Sequence, residues 1–233
     1  WYQFPVGDSL QVWVGPLIEN YYMLASAPSI YKPVLKQFAL GGNGSAYGSS
    51  TSPGFGAAWT QETEDPSDAR FALSMGYTSK DGTNDEKGMS NDQSRSFLLT
   101  KVEYGSPRWQ VSAAMAKKSA PATGTNAATN GYDSYFHTSD AIATEGDLTA
   151  YGLRAYWQPE TTGAIPSVQV GYDFGTYDEA DNGEAEDIAG WMIGLGWKDV
   201  FIDGNSAGVA LGSRVAATSY KNAASTEDAS EDN

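Results

Sequence analysis

Gly204-Asn205-Ser206-Ala207-Gly208 has the G-x-S-x-G spacing of a nucleophile elbow. That chemistry needs a strand before the serine, a helix after it and a histidine further along the chain. Here a strand pattern follows the serine, and the single histidine, His137, precedes it. The pentapeptide therefore reads as a turn. Asp178 to Gly183 faintly resembles a calcium loop, but Ala180 and Ala189 stand where ligands are required. Gly42-x-Gly44 with Gly48 lacks the strand-to-helix setting of a dinucleotide site. Paired carboxylates occur only in connecting segments, where burial does not tune their pKa. The chain has no cysteine, which excludes disulfides and zinc–thiolate sites. These residues point away from an enzyme and imply no catalytic residue, metal or cofactor.

Charge narrows the partners. The chain carries 29 acidic and 14 basic residues, a formal net charge of −15. Phosphate binding needs a basic stripe, so the balance argues against nucleic acid as a partner. It argues against a polybasic membrane-surface protein for the same reason. Most of the acidic residues fall in the connecting segments and the tail, with the densest run at Asp178–Asp187. That run reads as solvation of exposed loops.

The elements that position the remaining charges show a period of two. Ten such segments cover residues 1–6, 9–16, 54–60, 69–78, 95–104, 107–117, 147–158, 165–175, 188–199 and 207–218. Most of the later ones reach the length of a tilted membrane-crossing strand, about 9–11 residues, rather than the 5–6 usual in globular sheets. The connections alternate between short and long: Gly7-Asp8, then 17–53; 61–68, then 79–94; Gly105-Ser106, then 118–146; 159–164, then 176–187; and finally 200–206. An up-and-down barrel has that rhythm, with turns at one rim and loops at the other. The expected fold is an all-β, antiparallel up-and-down transmembrane β-barrel, of which 1–233 forms a part.

Each strand has an apolar side and a side of small or polar residues. In 188–199, Trp191, Ile193, Leu195 and Trp197 alternate with Gly190, Met192, Gly194, Gly196 and Lys198. Trp191 and Trp197 lie six residues apart on one side, roughly 20 Å along a strand. Tyr151 and Trp157 repeat that spacing, and together the four match two aromatic girdles at the membrane interfaces. In 207–218 the apolar side is read as Val209, Leu211, Ser213 and Val215. A soluble β-sandwich also alternates, but its water-facing positions carry Lys, Glu and Thr rather than Gly and Ala with isolated Arg.

If the apolar side meets lipid, the other side lines a pore. Its ionisable residues are Arg70, Arg95, Lys101, Glu103, Arg154, Asp173, Lys198 and Arg214. Basic members outnumber acidic ones, so a local preference for small anions is expected. The competing reading is that arginines and carboxylates pair across strands and stiffen the wall. The long connection 17–53 is expected to carry a short helix that starts at Ser26-Ala27-Pro28, includes Pro33–Phe38 and is ended by Gly41-Gly42-Asn43-Gly44. It is expected to fold into the lumen and narrow it, with Lys32 and Lys36 as pore charges. Packing against a neighbouring subunit is the alternative.

Tyr2-Gln3-Phe4-Pro5-Val6-Gly7-Asp8-Ser9-Leu10 with Val12-Trp13-Val14-Gly15-Pro16, Phe97–Tyr104 and Gly194–Phe201 resemble the barrel region of cyanobacterial outer-membrane porins. These are similar to the carbohydrate-selective OprB family and are described as iron-uptake porins. The resemblance runs over nearly all of the chain and is strongest in these strands. It implies a homotrimer in an outer membrane, with barrels of about 16 strands or more. It also implies an N-terminal S-layer-homology domain that grips cell-wall polymer, which this sequence lacks. Trp1-Tyr2-Gln3-Phe4 already reads as strand, and Glu227–Asn233 is a polar run. The sequence is therefore expected to lie inside a longer protein. The expected function is passive diffusion of small hydrophilic solutes and inorganic ions through a water-filled channel. A membrane-to-wall tether and a soluble carbohydrate-binding sandwich are the alternatives.

Overall fold

The computed structural model describes residues 1–31, 36–42, 46–47, 51–119, 146–161 and 163–222. Ten strands form a single antiparallel sheet in which every strand pairs with its sequence neighbours. They are β1 (Tyr2–Val6), β2 (Leu10–Ile18), β3 (Ser52–Thr60), β4 (Arg70–Ser79), β5 (Ser96–Ser106), β6 (Trp109–Lys118), β7 (Leu148–Trp157), β8 (Ser167–Tyr177), β9 (Ala185–Lys198) and β10 (Ser206–Tyr220). All ten period-two segments are strands, and their order is up-and-down. The sheet is open: among the described residues β1 and β10 are its two unpaired edges.

The tight turns are set by local chemistry. Gly7 supplies the positive φ of +66° between β1 and β2. Only Pro107 and Arg108 separate β5 from β6. The Gly204-Asn205 pair opens into β10 at Ser206, with Gly204 at φ +88°, so the elbow-like pentapeptide is a turn followed by a strand. Gly204 N–H donates to the Asp199 carboxylate at 2.8 Å and closes this turn.

Strict alternation sorts side chains onto two faces, and register keeps the sorting in phase across the sheet. Val14 pairs with Phe55, Phe55 with Tyr77, Leu73 with Val102, Ala155 with Val170, and Tyr172 with Trp191. All of these share one face, which is bare: Phe55, Leu73, Val102, Leu153, Tyr172, Ile193 and Leu211 are exposed. Aromatic rings interlock near both ends of this face. Phe71, Tyr104 and Trp109 form one group, with centroids 4.5 and 5.6 Å apart. Tyr151, Phe174 and Tyr172 form another at 5.0 and 5.6 Å.

The opposite face is covered. It carries Ser74, Gly76, Leu99, Lys101, Ala114, Ala116, Ala150, Arg154, Gln169 and Asp173, and a buried cluster of Phe97, Leu99, Ala116, Leu148, Tyr177 and Ile188 forms the core. What covers it is the long connection between β2 and β3. Two 3₁₀ turns lie in it, η1 (Asn20–Tyr22) and η2 (Lys36–Gly41). The helix expected to start at Ser26-Ala27-Pro28 does not form over residues 26–31; residues 32–35 lie outside the described residues, and Lys36–Gly41 winds only into the 3₁₀ turn η2. Gly41, at φ +78°, ends η2 as a left-handed glycine cap does.

One face assignment is corrected. β10 pairs Ser213 with Trp191 and Ala216 with Ala189, so an extra residue is inserted between them. This β-bulge reverses the alternation. Val215 is buried in the core cluster and Ala216 takes the bare face, whereas unbroken alternation puts them the other way round. Arg214 lies in the bulge and is exposed.

Candidate functional site: the segment packed on the covered face

Glycine and alanine on the covered face leave room for a polypeptide to lie on it. Met23 sits over Gly56 and Gly76: a Cβ there would fall 2.8 and 2.9 Å from its Sδ and Cε. Tyr31 lies over Gly194, where a Cβ would fall 2.7 Å from its ring, and Tyr47 lies over Gly152 at 3.1 Å. A Cβ at Gly171 would overlap the carbonyl oxygen of Gly41. Side chains at these positions would lift the segment from the sheet.

Polar contacts fix the segment at points spread over several strands. Asn20 Nδ2 donates to the Phe97 carbonyl at 3.1 Å. The Ala25 amide donates to Ser74 Oγ at 2.9 Å. Lys101 Nζ donates to the Ser26 carbonyl at 3.0 Å, and Gln110 Nε2 donates to Ser26 Oγ at 2.8 Å. The Ile30 amide donates to Gln169 Oε1 at 3.1 Å. The segment therefore runs from β4 to β8 along the face and returns over β7 and β8.

Arg154 holds the returning part. Its Nε donates to the Leu40 carbonyl at 2.8 Å, and its Nη2 donates to both oxygens of Asp173 at 2.9 Å. Its Nη1 donates to the Leu153 carbonyl at 2.9 Å, and the guanidinium lies 5.3 Å from the Tyr47 ring centroid. Arg154 and Asp173 are 3% and 0% exposed. Burial pushes the Tyr47 phenol up, with the neighbouring guanidinium pulling the other way. Lys101 makes a second buried ion pair with Glu103, two residues along β5. Burying such charges costs several kcal/mol per ion unless the geometry returns it. The fork of Arg154 meets that condition, with all its nitrogens engaged.

The sequence-predicted pore charges thus separate into groups. Lys101, Glu103, Arg154 and Asp173 are on the expected face, but they lie beneath the segment instead of facing open water. Arg95 precedes β5 and pairs with Asp81 in the connection from β4. That pair holds the Asp81 carboxyl down at about 2. Arg70 opens β4, half-buried and opposite Gly105. Lys198 ends β9, exposed, and lines a cavity of about 190 Å³ beside Tyr31 and Gln169. Lys36 is the first residue of η2. Lys32 and His137 lie outside the described residues. The four expected girdle residues share the bare face: Tyr151, Trp157 and Trp191 are exposed there, and Trp197 donates its indole N–H to the Ala164 carbonyl at 3.0 Å.

No family model matches the chain, and neither the curated proteins nor the solved structures contain a match. The geometry alone therefore carries the functional argument. Among the described residues no three His, Cys, Asp or Glu side chains gather to hold a metal. No helix among them is long and apolar enough to cross a membrane, which has no bearing on crossing by strands.

Asn20, Ser26, Tyr47, Gln110 and Gln169 escape a reading of the sequence. Gln110 and Gln169 leave one trace, as amides among the Gly, Ala and charged residues of the side opposite the apolar rows. Asn20 and Ser26 leave none, because their partners Phe97 and Lys101 are more than seventy residues away.

Proposed function

We propose that this chain is a section of an outer-membrane β-barrel that forms a water-filled channel for passive diffusion of small hydrophilic solutes and ions. The bare face carries the reading. Ten strands spaced about 4.8 Å apart span about 43 Å, and the apolar rows run about 20 Å along the strands, so the face covers roughly 900 Å². Soluble monomers rarely expose contiguous apolar patches beyond about 300–600 Å². From Phe71 to Tyr77, Leu98 to Tyr104, Tyr151 to Trp157 and Trp191 to Trp197, no residue on this face is Asp, Glu, Lys, Arg or His. Acyl chains are the surroundings in which such a surface is stable, and the ringed ends suit the headgroup level.

The covered face supports the channel half of the reading. A segment that enters between β2 and β3 and lies on one side of the wall narrows whatever space that side encloses. The sandwich alternative needs a second sheet on the bare face, and among the described residues there is a single sheet.

Reconstitution tests the proposal. The folded protein should need detergent to stay in solution, and it should give discrete conductance steps in a planar bilayer. Solubility without detergent, or silent bilayers from well-folded protein, would sink it.

A further inference from the structure

Arg154 does more than neutralise Asp173. Its guanidinium touches the wall through Leu153 and Asp173, and touches the overlying segment through the Leu40 carbonyl. Leu40 is held in the left-handed region at φ +56°, an uncommon conformation for a branched residue. The next residue, Gly41, rests its carbonyl where a Cβ of Gly171 would be, and Gly42 comes so close that a Cβ would overlap the Asp173 carboxylate. Side-chain fork, strained carbonyl and two glycines converge on one point of contact.

We propose that Arg154 is the positioning residue for the part of the segment that carries Leu40, Gly41 and Gly42, pinning it to β7 and β8, and that it acts on the channel through that segment's place and not through its own charge. The proposal rests on the channel reading for its consequence but not for its geometry. A charge acting through its field would be replaced by lysine. A pin would not be, because an ammonium cannot reach the Leu40 carbonyl and both Asp173 oxygens with the geometry of a planar fork.

The test compares Arg154→Lys, Arg154→Gln and Gly42→Ala with the unaltered protein. Gly42→Ala changes no charge and replaces no wall residue, but its Cβ would press the segment off the Asp173 carboxylate. The first readout is trypsin cleavage at the Lys36–Gln37 bond of folded protein in detergent, which follows how often the segment opens. The second is conductance and reversal potential in a planar bilayer. The pin predicts cleavage about tenfold faster or more in all three variants. It also predicts that Arg154→Lys and Gly42→Ala change conductance in the same direction. A lysine variant that matches the unaltered protein, with only the glutamine variant shifting reversal potential, overturns the proposal. So does unchanged protection in both Arg154→Lys and Gly42→Ala. Silent bilayers with the cleavage pattern intact would defeat the channel reading and leave the pin standing.

Discussion

Arg154 and Asp173 form a two-pronged ion pair although neither faces the other across the strands: Asp173 is opposite Gly152, and Arg154 is opposite Gly171. The diagonal reach works because both opposing positions are glycine. It also carries the guanidinium beneath the Leu40 carbonyl.

Removing one partner of this pair should cost stability. Asp173→Asn leaves the buried guanidinium with a neutral neighbour, and breaking buried pairs costs about 3–5 kcal/mol. The expected outcome is a clearly lower thermal unfolding midpoint in detergent. An unchanged midpoint would mean that the pair is not buried in the folded protein.

A new charge on the bare face should be costly, whereas losing a charge at the rim of the other face should not. Ile193→Arg or Leu195→Arg places a cation on the bare face, where about 2–4 kcal/mol is lost at a bilayer midplane. Insertion into phospholipid vesicles, followed by heat-modifiable gel mobility, should fall sharply. Lys198→Gln, at the exposed end of β9, should insert normally.

The Asp81–Arg95 pair makes the connection between β4 and β5 sensitive to acid. The folded carboxyl lies at about 2, below its ordinary value of 3.8, because Arg95 donates hydrogen bonds to it. A depressed carboxylate contributes stability that is complete above the unfolded pKa and is lost as pH falls through the folded one. The pair's contribution to the order of residues 80–95 should therefore be full at pH 5, decline below about pH 4 and be largely lost near pH 2. Hydrogen exchange of this stretch, corrected for intrinsic rates, reads the change. Asp81→Asn should show weak protection at every pH, at a cost of about 1 kcal/mol.

Selectivity should come from the charges that stay exposed. With Lys101 paired to Glu103 and Arg154 to Asp173, the excess of basic residues on this face has little net field to offer. Lys198→Glu should move the reversal potential towards cations in a salt gradient. An unmoved potential would place Lys198 away from the ion path.

Much of the fold was legible in the residues themselves. Alternation such as Trp191-Met192-Ile193-Gly194-Leu195 fixes which side chains share a face, because successive strand residues point opposite ways. Turn residues such as Gly7 and Gly204 mark where strands reverse. From these came the ten strands, their order, the apolar face and its aromatic ends. The bulge in β10 escaped, since an inserted residue leaves no signature in Gly212-Ser213-Arg214-Val215-Ala216-Ala217, where either phase reads as a strand.

The sequence by itself determined that Arg154, Asp173, Lys101 and Glu103 stand on the side opposite Trp157, Trp191 and Trp197. Only the tertiary structure decided that they are dry. A period of two is a property of neighbouring residues, whereas burial depends on what arrives from elsewhere, and the carbonyl that meets Arg154 belongs to a residue 114 positions earlier. The same glycines that read as a smooth wetted wall are the places where Met23, Tyr31 and Gly41 come to rest. A missing side chain leaves space for either, and local patterns cannot say which of the two fills it.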